Sequence, residues 1–476
     1  MTPPAARIAP SQIHRQLNDL PGPRALPLVG NMHQLNRTRL HQDMENWSRE
    51  YGSFFRVELP RATLLVVSDS EIIKQVLTAR PSTFRRPAVM SEVAQEMGGI
   101  PGVFDAEGIE WRNQRKMVMQ AFAPQAVKSY FPAMLQVARR LQRRWEIAAA
   151  AKETINLGAD LRLYTVDIVA GLAFGSDVNT IEKGDNAIQR DLDQFLPAVA
   201  RRSLAPFAYW RYVKLPRDHE LERCVNRMRI AVNRLVVEAK DRMRDEPHCG
   251  DRPRNMLEAM LAAAAREDSG VSERDVAGNV LTMLLAGEDT TSNSLAWLIY
   301  LLHRHPDVLH RARVEILRIV PDVGALTIEQ VDQLDFIEAC ANESLRLKPP
   351  APSMPVEALL DTVVGDVQIK AGTVVWCVMR HISQDDAWSA SSAQFDPQRW
   401  CDDAIDKKTV MSFGAGPRTC PGRYLALLEI KVAIVTLLAR FDILSVGTVH
   451  GGEPQEVMGF VMEPETLHMQ LRKREQ

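Results

Sequence analysis

No stretch of this 476-residue chain approaches the ~20 consecutive apolar residues that a membrane-spanning helix needs. Its opening, Met1-Thr-Pro-Pro-Ala-Ala-Arg-Ile-Ala-Pro10, has no apolar core for a signal peptide. These absences predict a cytoplasmic protein without a membrane anchor. Arg7 and Arg15 imitate an organellar leader, but Pro3, Pro4 and Pro10 spoil the amphipathic helix such a leader requires. Cysteine is sparse. Cys224, Cys249, Cys340, Cys377, Cys401 and Cys420 are scattered and form no C-x-x-C pair, which reads as thiols of a reducing compartment rather than a disulfide framework. Neither charge is in surplus: a net charge of −2 leaves nothing to neutralise phosphates, so nucleic acid is excluded as a bulk partner. No Gly/Ser-rich linker, low-complexity tract or fixed-period repeat divides the chain. Residues 1–476 therefore read as one domain, with a tail over 1–19 and a proline-rich hinge over 20–31.

What is present is ordinary globular material, 46% apolar and 25% charged, able to bury a large core and an apolar cofactor. Helical spacing dominates over Pro132–Lys152, Leu161–Phe174, Ala187–Leu196, His219–Arg244, Arg254–Ala265, Glu273–Leu302, Asp307–Ile319 and Phe336–Leu347, with a shorter stretch around His41 to Glu50. Phe54–Leu59 and Thr63–Val67, separated by Pro60 and Arg61, read as a hairpin. The class is mostly α with a small β subdomain. The basic run Arg139-Arg140-Leu141-Gln142-Arg143-Arg144 reads as a solvated helix face, and residues 246–253 as a surface connector.

Four stretches carry chemistry. Phe413-Gly-Ala-Gly-Pro-Arg-Thr-Cys-Pro-Gly422 holds one cysteine in a glycine-punctuated loop just ahead of a helical pattern. Gly414, Gly416 and Gly422 permit positive φ and close approach of a flat partner, and Pro421 stiffens the exit. The helix terminus favours Cys420 as an anion, below the usual thiol value of about 8.5, and hence as a metal ligand. Leu285-Ala-Gly-Glu-Asp-Thr-Thr291 sits mid-helix, where glycine costs up to ~1 kcal/mol, a local conflict that marks a functional site. Thr290 can redirect hydrogen bonding to widen the turn or admit water, and Asp289 can relay protons. Glu343 and Arg346 pair at i and i+3 on a partly buried face. Trp111 and Arg115 share a face four apart, suited to clamp a carboxylate.

These motifs, in their order along the chain, resemble those of the cytochrome P450 family, with the resemblance running from about Pro21 to the strands near Phe460 and His468. It implies the P450 fold, with haem b between the long central helix and the helix after the cysteine loop. Cys420 is then the axial iron ligand, whose electron push favours O–O cleavage. Phe413 packs beside the sulfur, Gly414 and Gly422 shape the loop, and Trp111, Arg115 and Arg418 hold the haem. Ala286 and Gly287 let haem and dioxygen approach the helix, and Asp289 and Thr290 deliver protons. Glu343, Arg346 and Arg399 form a network supporting the loop.

The implied activity is oxidation, typically hydroxylation, of an apolar small molecule with O2 and two electrons. Cys420 lies close to the end of the chain, so the electrons are expected from a separate ferredoxin or flavodoxin with its reductase, docking on Arg112, Lys116, Arg418 and Arg423. The alternatives are a peroxide-driven enzyme, a non-redox haem-thiolate enzyme, or a haem sensor; the acid-alcohol pair disfavours the first two. Candidate substrate contacts are Val103, Phe104, Met283, Leu284, Ala351, Ser353 and Met354. Residues 98–104 read either as a mobile lid or as a plain surface loop, and Arg61 either as a carboxylate anchor or as bland surface. One position departs from the family: Val356 stands where many members have a propionate-binding basic residue, so either Arg380 or His381 replaces it or one propionate is held less tightly.

Overall fold

The structure of the chain, a computed structural model, describes residues 14–60, 62–184, 187–203, 205, 207–246, 253–380, 391–402 and 405–475. Its helices are α1 (Leu40–Tyr51), α2 (Ser70–Thr78), α3 (Ala88–Glu96), α4 (Gly108–Ala121), α5 (Pro124–Ala151), α6 (Leu157–Phe174), α7 (Thr180–Lys183), α8 (Ala187–Ser203), α9 (Pro216–Asp245), α10 (Met256–Ala264), α11 (Glu273–Arg304), α12 (Pro306–Ile319), α13 (Ile328–Asp332), α14 (Asp335–Leu347), α15 (Gln398–Cys401) and α16 (Arg423–Arg440). The strands are β1 (Arg15–Gln16), β2 (Phe54–Leu59), β3 (Ala62–Val67), β4 (Phe84–Arg85), β5 (Ile155–Asn156), β6 (Ser353–Ala358), β7 (Thr362–Val364), β8 (Val367–Ile369), β9 (Val374–Val378), β10 (Phe441–Gly447), β11 (Glu456–Met458), β12 (Met462–Pro464) and β13 (His468–Lys473).

The long helix α11 starts where the sequence provides a capping box: Ser272 accepts from the Asp275 amide, and Asp275 accepts from the Ser272 amide at 2.8 Å. It packs against α6, α10, α14 and α16, so it is buried nearly all round over 276–284 and 291–302, and opens only over 285–290 between them. α5 begins at Pro124, in a first turn where the missing N–H costs nothing, and not at Pro132, whose exposed ring sits inside the helix.

The main sheet runs β2-β3-β9-β6-β4; β3 and β9 are parallel and the other neighbours antiparallel, with Met354 opposite Cys377 and Val356 opposite Val375. Three smaller sheets are β1-β8-β7, β10-β13-β5 and β11-β12. The expected tail is therefore ordered at its end, because Arg15 and Gln16 pair with Val367 and Gln368. One large apolar cluster surrounds α5, α6, α11, α14 and α16, and a second, including Leu65, Ile73, Leu77, Val356 and Val375, lies under the main sheet.

Candidate functional site

The cysteine loop is closed by its own backbone: the Cys420 amide donates to the Phe413 carbonyl at 2.9 Å. Gly414 and Gly416 take φ values of +74° and +68°, as expected, whereas Gly422, the N-cap of α16, has φ −85°. What Gly422 provides is room, since a Cβ there would stand 3.9 Å from Cys420 Sγ and 3.5 Å from Phe122. Gly416 seats the loop on α2, where a Cβ would lie 2.6 Å from Thr78 Cα. Ser412 Oγ donates to the Leu345 carbonyl at 2.9 Å, fastening the loop to α14.

Cys420 is exposed, yet burial remains the largest influence on its thiol and pushes it up from the ordinary value. The Gly422 amide and the guanidiniums of Arg115 and Arg423 pull the other way without winning. The helix terminus therefore does not by itself produce the expected anion. A metal coordinated there would, since a metal deprotonates its thiol ligand outright. Phe413 is partly buried beneath Arg423, whose guanidinium carbon is 5.4 Å from the ring centre.

On α11 the structure shifts the expected face. Ala286 is exposed and Thr290 partly so, and Thr290 Oγ donates to the Ala286 carbonyl at 2.7 Å, four residues back. The helix is continuous there, so Thr290 satisfies its own turn without widening it. Gly287 turns the other way: a Cβ would come within 2.7 Å of Val169 Cγ2, so this glycine lets α6 approach and does not open the pocket. Met283 and Leu284 lie in the core, and the residues that line a small cavity are instead Leu281, Thr282 and Leu285, with Ile100, Asp105 and Phe195 opposite. Asp289 lies 3.5 Å from Arg162, which also approaches Glu288 at 3.8 Å and Glu463 at 3.9 Å.

Between the loop and this cavity lies a cluster of guanidiniums. Arg418 donates to Glu107 and, at 2.6 Å, to the Ala106 carbonyl, and its guanidinium carbon is 4.7 Å from the Trp111 ring centre. Arg86 covers Phe104 at 3.5 Å, and Phe104 in turn approaches Phe460 at 6.0 Å. Arg80 is buried beside them. Burial together with repulsion from Arg80 and Arg418 lowers Arg86 to about 9, and burial lowers Arg418 to about 10. Buried N–H groups of Arg80 and Arg418 have no acceptor among the described residues. Clustered cations with unanswered donors, next to a lone cysteine in an open loop, fit a group with one thiolate-ligated metal and carboxylates at its rim. Arg115 sits on the sulfur side, donating to the Thr419 carbonyl at 2.6 Å.

Sequence reasoning missed Arg80, Arg86, Asp105 and Glu107. Arg85-Arg86 looks like surface charge in a sequence, and the partners that bury Arg86 come from a separate loop.

Glu343, Arg346 and Arg399 are brought together: Arg346 binds Glu343 through two 2.8 Å bonds, Arg399 Nε donates to Glu343 at 3.0 Å, and Trp400 adds a third donor at 2.8 Å. Arg380 belongs elsewhere, buried between Glu45 and Glu456 at 2.7 and 2.8 Å, so it does not serve the guanidinium cluster. His381 and Arg61 lie outside the described residues. Val356 is fully buried in the apolar cluster under the sheet. Ala351 and Met354 pack at the edge of the same cluster, and Ser353 begins β6.

The 98–104 segment is docked on α11. The Val103 amide donates to Asn279 at 2.8 Å, Asn279 binds Gln114 at 2.9 Å, and a Cβ on Gly278 would meet the Pro101 carbonyl at 2.3 Å. Arg112, Lys116 and Arg423 are exposed, but the Arg418 side chain is only 7% exposed and leaves the proposed basic surface.

A helical body crossed by one long helix, with a cysteine loop leading into a second, is the architecture of a haem-thiolate protein. A family model described as cytochrome P450 matches residues 20–471, and the chain belongs to that family. Its members are haem-thiolate monooxygenases. The cytokinin hydroxylase of Arabidopsis thaliana is 27% identical over 410 residues, spanning 85% of this chain and 78% of its own. The bifunctional cytochrome P450/NADPH–P450 reductase of Bacillus cereus is 25% identical over 445 residues, 91% of this chain and 40% of its own. The crystal structure of the cytochrome P450DA heme domain superposes with a TM-score of 0.84 at 25% identity, covering 97% of this chain and 99% of that one. No helix among the described residues is long and apolar enough to cross a membrane.

Proposed function

We propose that Cys420 ligates the iron of haem b, that Arg86, Trp111, Arg115 and Arg418 hold its rim, and that the enzyme hydroxylates an apolar small molecule with O2. Electrons come from a separate ferredoxin or flavodoxin with its reductase, docking where Arg112, Lys116 and Arg423 are exposed. The buried free thiols Cys224, Cys340 and Cys377 accord with a reducing, cytoplasmic setting. Bound haem supplies the redox chemistry, and its sulfur ligand favours O–O cleavage.

The observation that carries this reading is the guanidinium cluster of Arg80, Arg86 and Arg418, which joins the cysteine loop at Arg418 and faces Asp105 of the cavity. Asp289, with a side chain 32% exposed, exchanges protons with solvent while Arg162 orients it. Thr290 now spends its proton on the Ala286 carbonyl, so its oxygen is left to accept. Turning Oγ off that carbonyl presents the hydroxyl proton to the pocket, and Asp289 restores it. Ile100, Phe195, Leu281 and Leu285 select apolar substrates and exclude water, and Asp105 and Thr282 offer one polar handle.

The test follows reductant consumption and product together. Oxygen-dependent consumption yielding a hydroxylated apolar product is expected, with Asp289→Asn slowing turnover by about 10²-fold. Haem binding without oxygen-dependent consumption contradicts the reading and leaves a carrier or sensor.

A further inference from the structure

Arg80 is 3% exposed, and neither its Nε nor its Nη2 has a hydrogen-bond partner among the described residues. Its Nη1 reaches Met354 Sδ at 3.5 Å, a weak acceptor for a cation. Its approach to Glu107, 3.8 Å, is an ion-pair distance too long for a hydrogen bond. Glu107 is in any case engaged, accepting from the Arg86 amide at 2.9 Å and from the Arg418 guanidinium. A guanidinium cannot shed its charge, and burying one with donors unanswered carries a large desolvation penalty. The cluster is also unbalanced: among the described residues, Arg80, Arg86 and Arg418 face only the carboxylates of Asp105 and Glu107. No described carboxylate accepts from Arg80 Nε or Nη2, so these donors await an anionic acceptor.

The direction follows from the sheet. Side chains two apart on a strand share a face, so Met354 and Val356 point the same way from β6, and Arg80 lies over Met354. Val356 offers no donor on that face. α2, which leads into Arg80, carries at its end the contact with Gly416 of the cysteine loop. We propose that Arg80 binds a carboxylate of the haem rim, supplying from the segment after α2 the cationic contact that β6 lacks. This rests on the haem reading above.

Resonance Raman spectroscopy of the ferric, haem-loaded protein reads propionate bending separately from the iron–sulfur stretch. Arg80→Met is expected to move the propionate-bending band, leave the iron–sulfur stretch in place, and speed haem transfer to apomyoglobin about tenfold, the scale of one charge-assisted hydrogen bond. Arg80→Lys keeps the charge, guards against loss of folding, and is expected to move the band less. A propionate band unmoved by both substitutions overturns the proposal even if haem is lost faster, because Arg80 then serves packing alone. Absence of an iron–sulfur stretch in the unsubstituted protein strikes the haem-thiolate reading instead.

Discussion

Glu456 shows how much a single buried carboxylate can organise. It accepts from His41 at 2.8 Å, Gln42 at 3.0 Å, Lys348 at 2.7 Å and Arg380 at 2.8 Å, tying the first helix and the end of α14 to the C-terminal hairpin. Burial alone would raise this carboxyl, but the His41 hydrogen bond and the charges of Arg380 and Lys348 hold it well below the usual range. A depressed value in the folded state means that its stabilisation is present above the unfolded value of about 4.3 and is lost as pH falls toward the folded one. Glu456→Gln leaves Arg380 and Lys348 short of a counter-charge and is expected to cost about 3–5 kcal/mol at pH 7. That difference should shrink by about 1.4 kcal/mol for each pH unit below 4.3. Urea unfolding of both proteins at several pH values checks this, and a difference independent of pH would refute it. No sequence pattern links His41, Lys348, Arg380 and Glu456, so in the sequence Arg380 stays open as one alternative for the haem, and only its buried partners Glu45 and Glu456 close it.

Elements were legible in proportion to how much of their stability is local. The long helices announced themselves by periodicity, whereas α2 and α3, nine residues each, draw most of their definition from tertiary packing. The phase of α11 was not legible because a helix buried on nearly every side has no apolar stripe to read. The expectation that Gly287 and Met283 line the pocket accordingly fails: Gly287 faces Val169, and Leu285 lines the cavity. The junction of α2 with the cysteine loop gives an element-scale test. Gly414 and Gly416 both have positive φ, but a Cβ at 414 meets nothing within 4 Å while one at 416 strikes the backbone of Thr78. Gly414→Ala should cost about 1–2 kcal/mol for its left-handed backbone alone. Gly416→Ala adds an overpacking cost of about 1–3 kcal/mol. Thermal unfolding should therefore rank Gly416→Ala below Gly414→Ala, and equal midpoints would count against loop docking on α2.

At the scale of the molecule, five distant segments are joined by contacts at Gly416, Arg418, Met354 and Asn279. They are the end of α2, the loop before α4, α11, the strand β6 and the cysteine loop itself. The cysteine loop and the Asp289-Thr290 pair stand out in the sequence because glycines and mid-helix misfits are local signatures. The guanidinium cluster does not, because Arg80, Arg86, Glu107 and Arg418 become neighbours only in the fold. The central claim is that this assembly holds haem iron through the sulfur of Cys420. The most direct measurement is the absorption spectrum of the ferrous protein with carbon monoxide, for the parent and for Cys420→Ser. A thiolate-type Soret band in the parent that is abolished by the substitution is the predicted result. A parent without that band, or a Cys420→Ser protein that keeps it, would contradict the account.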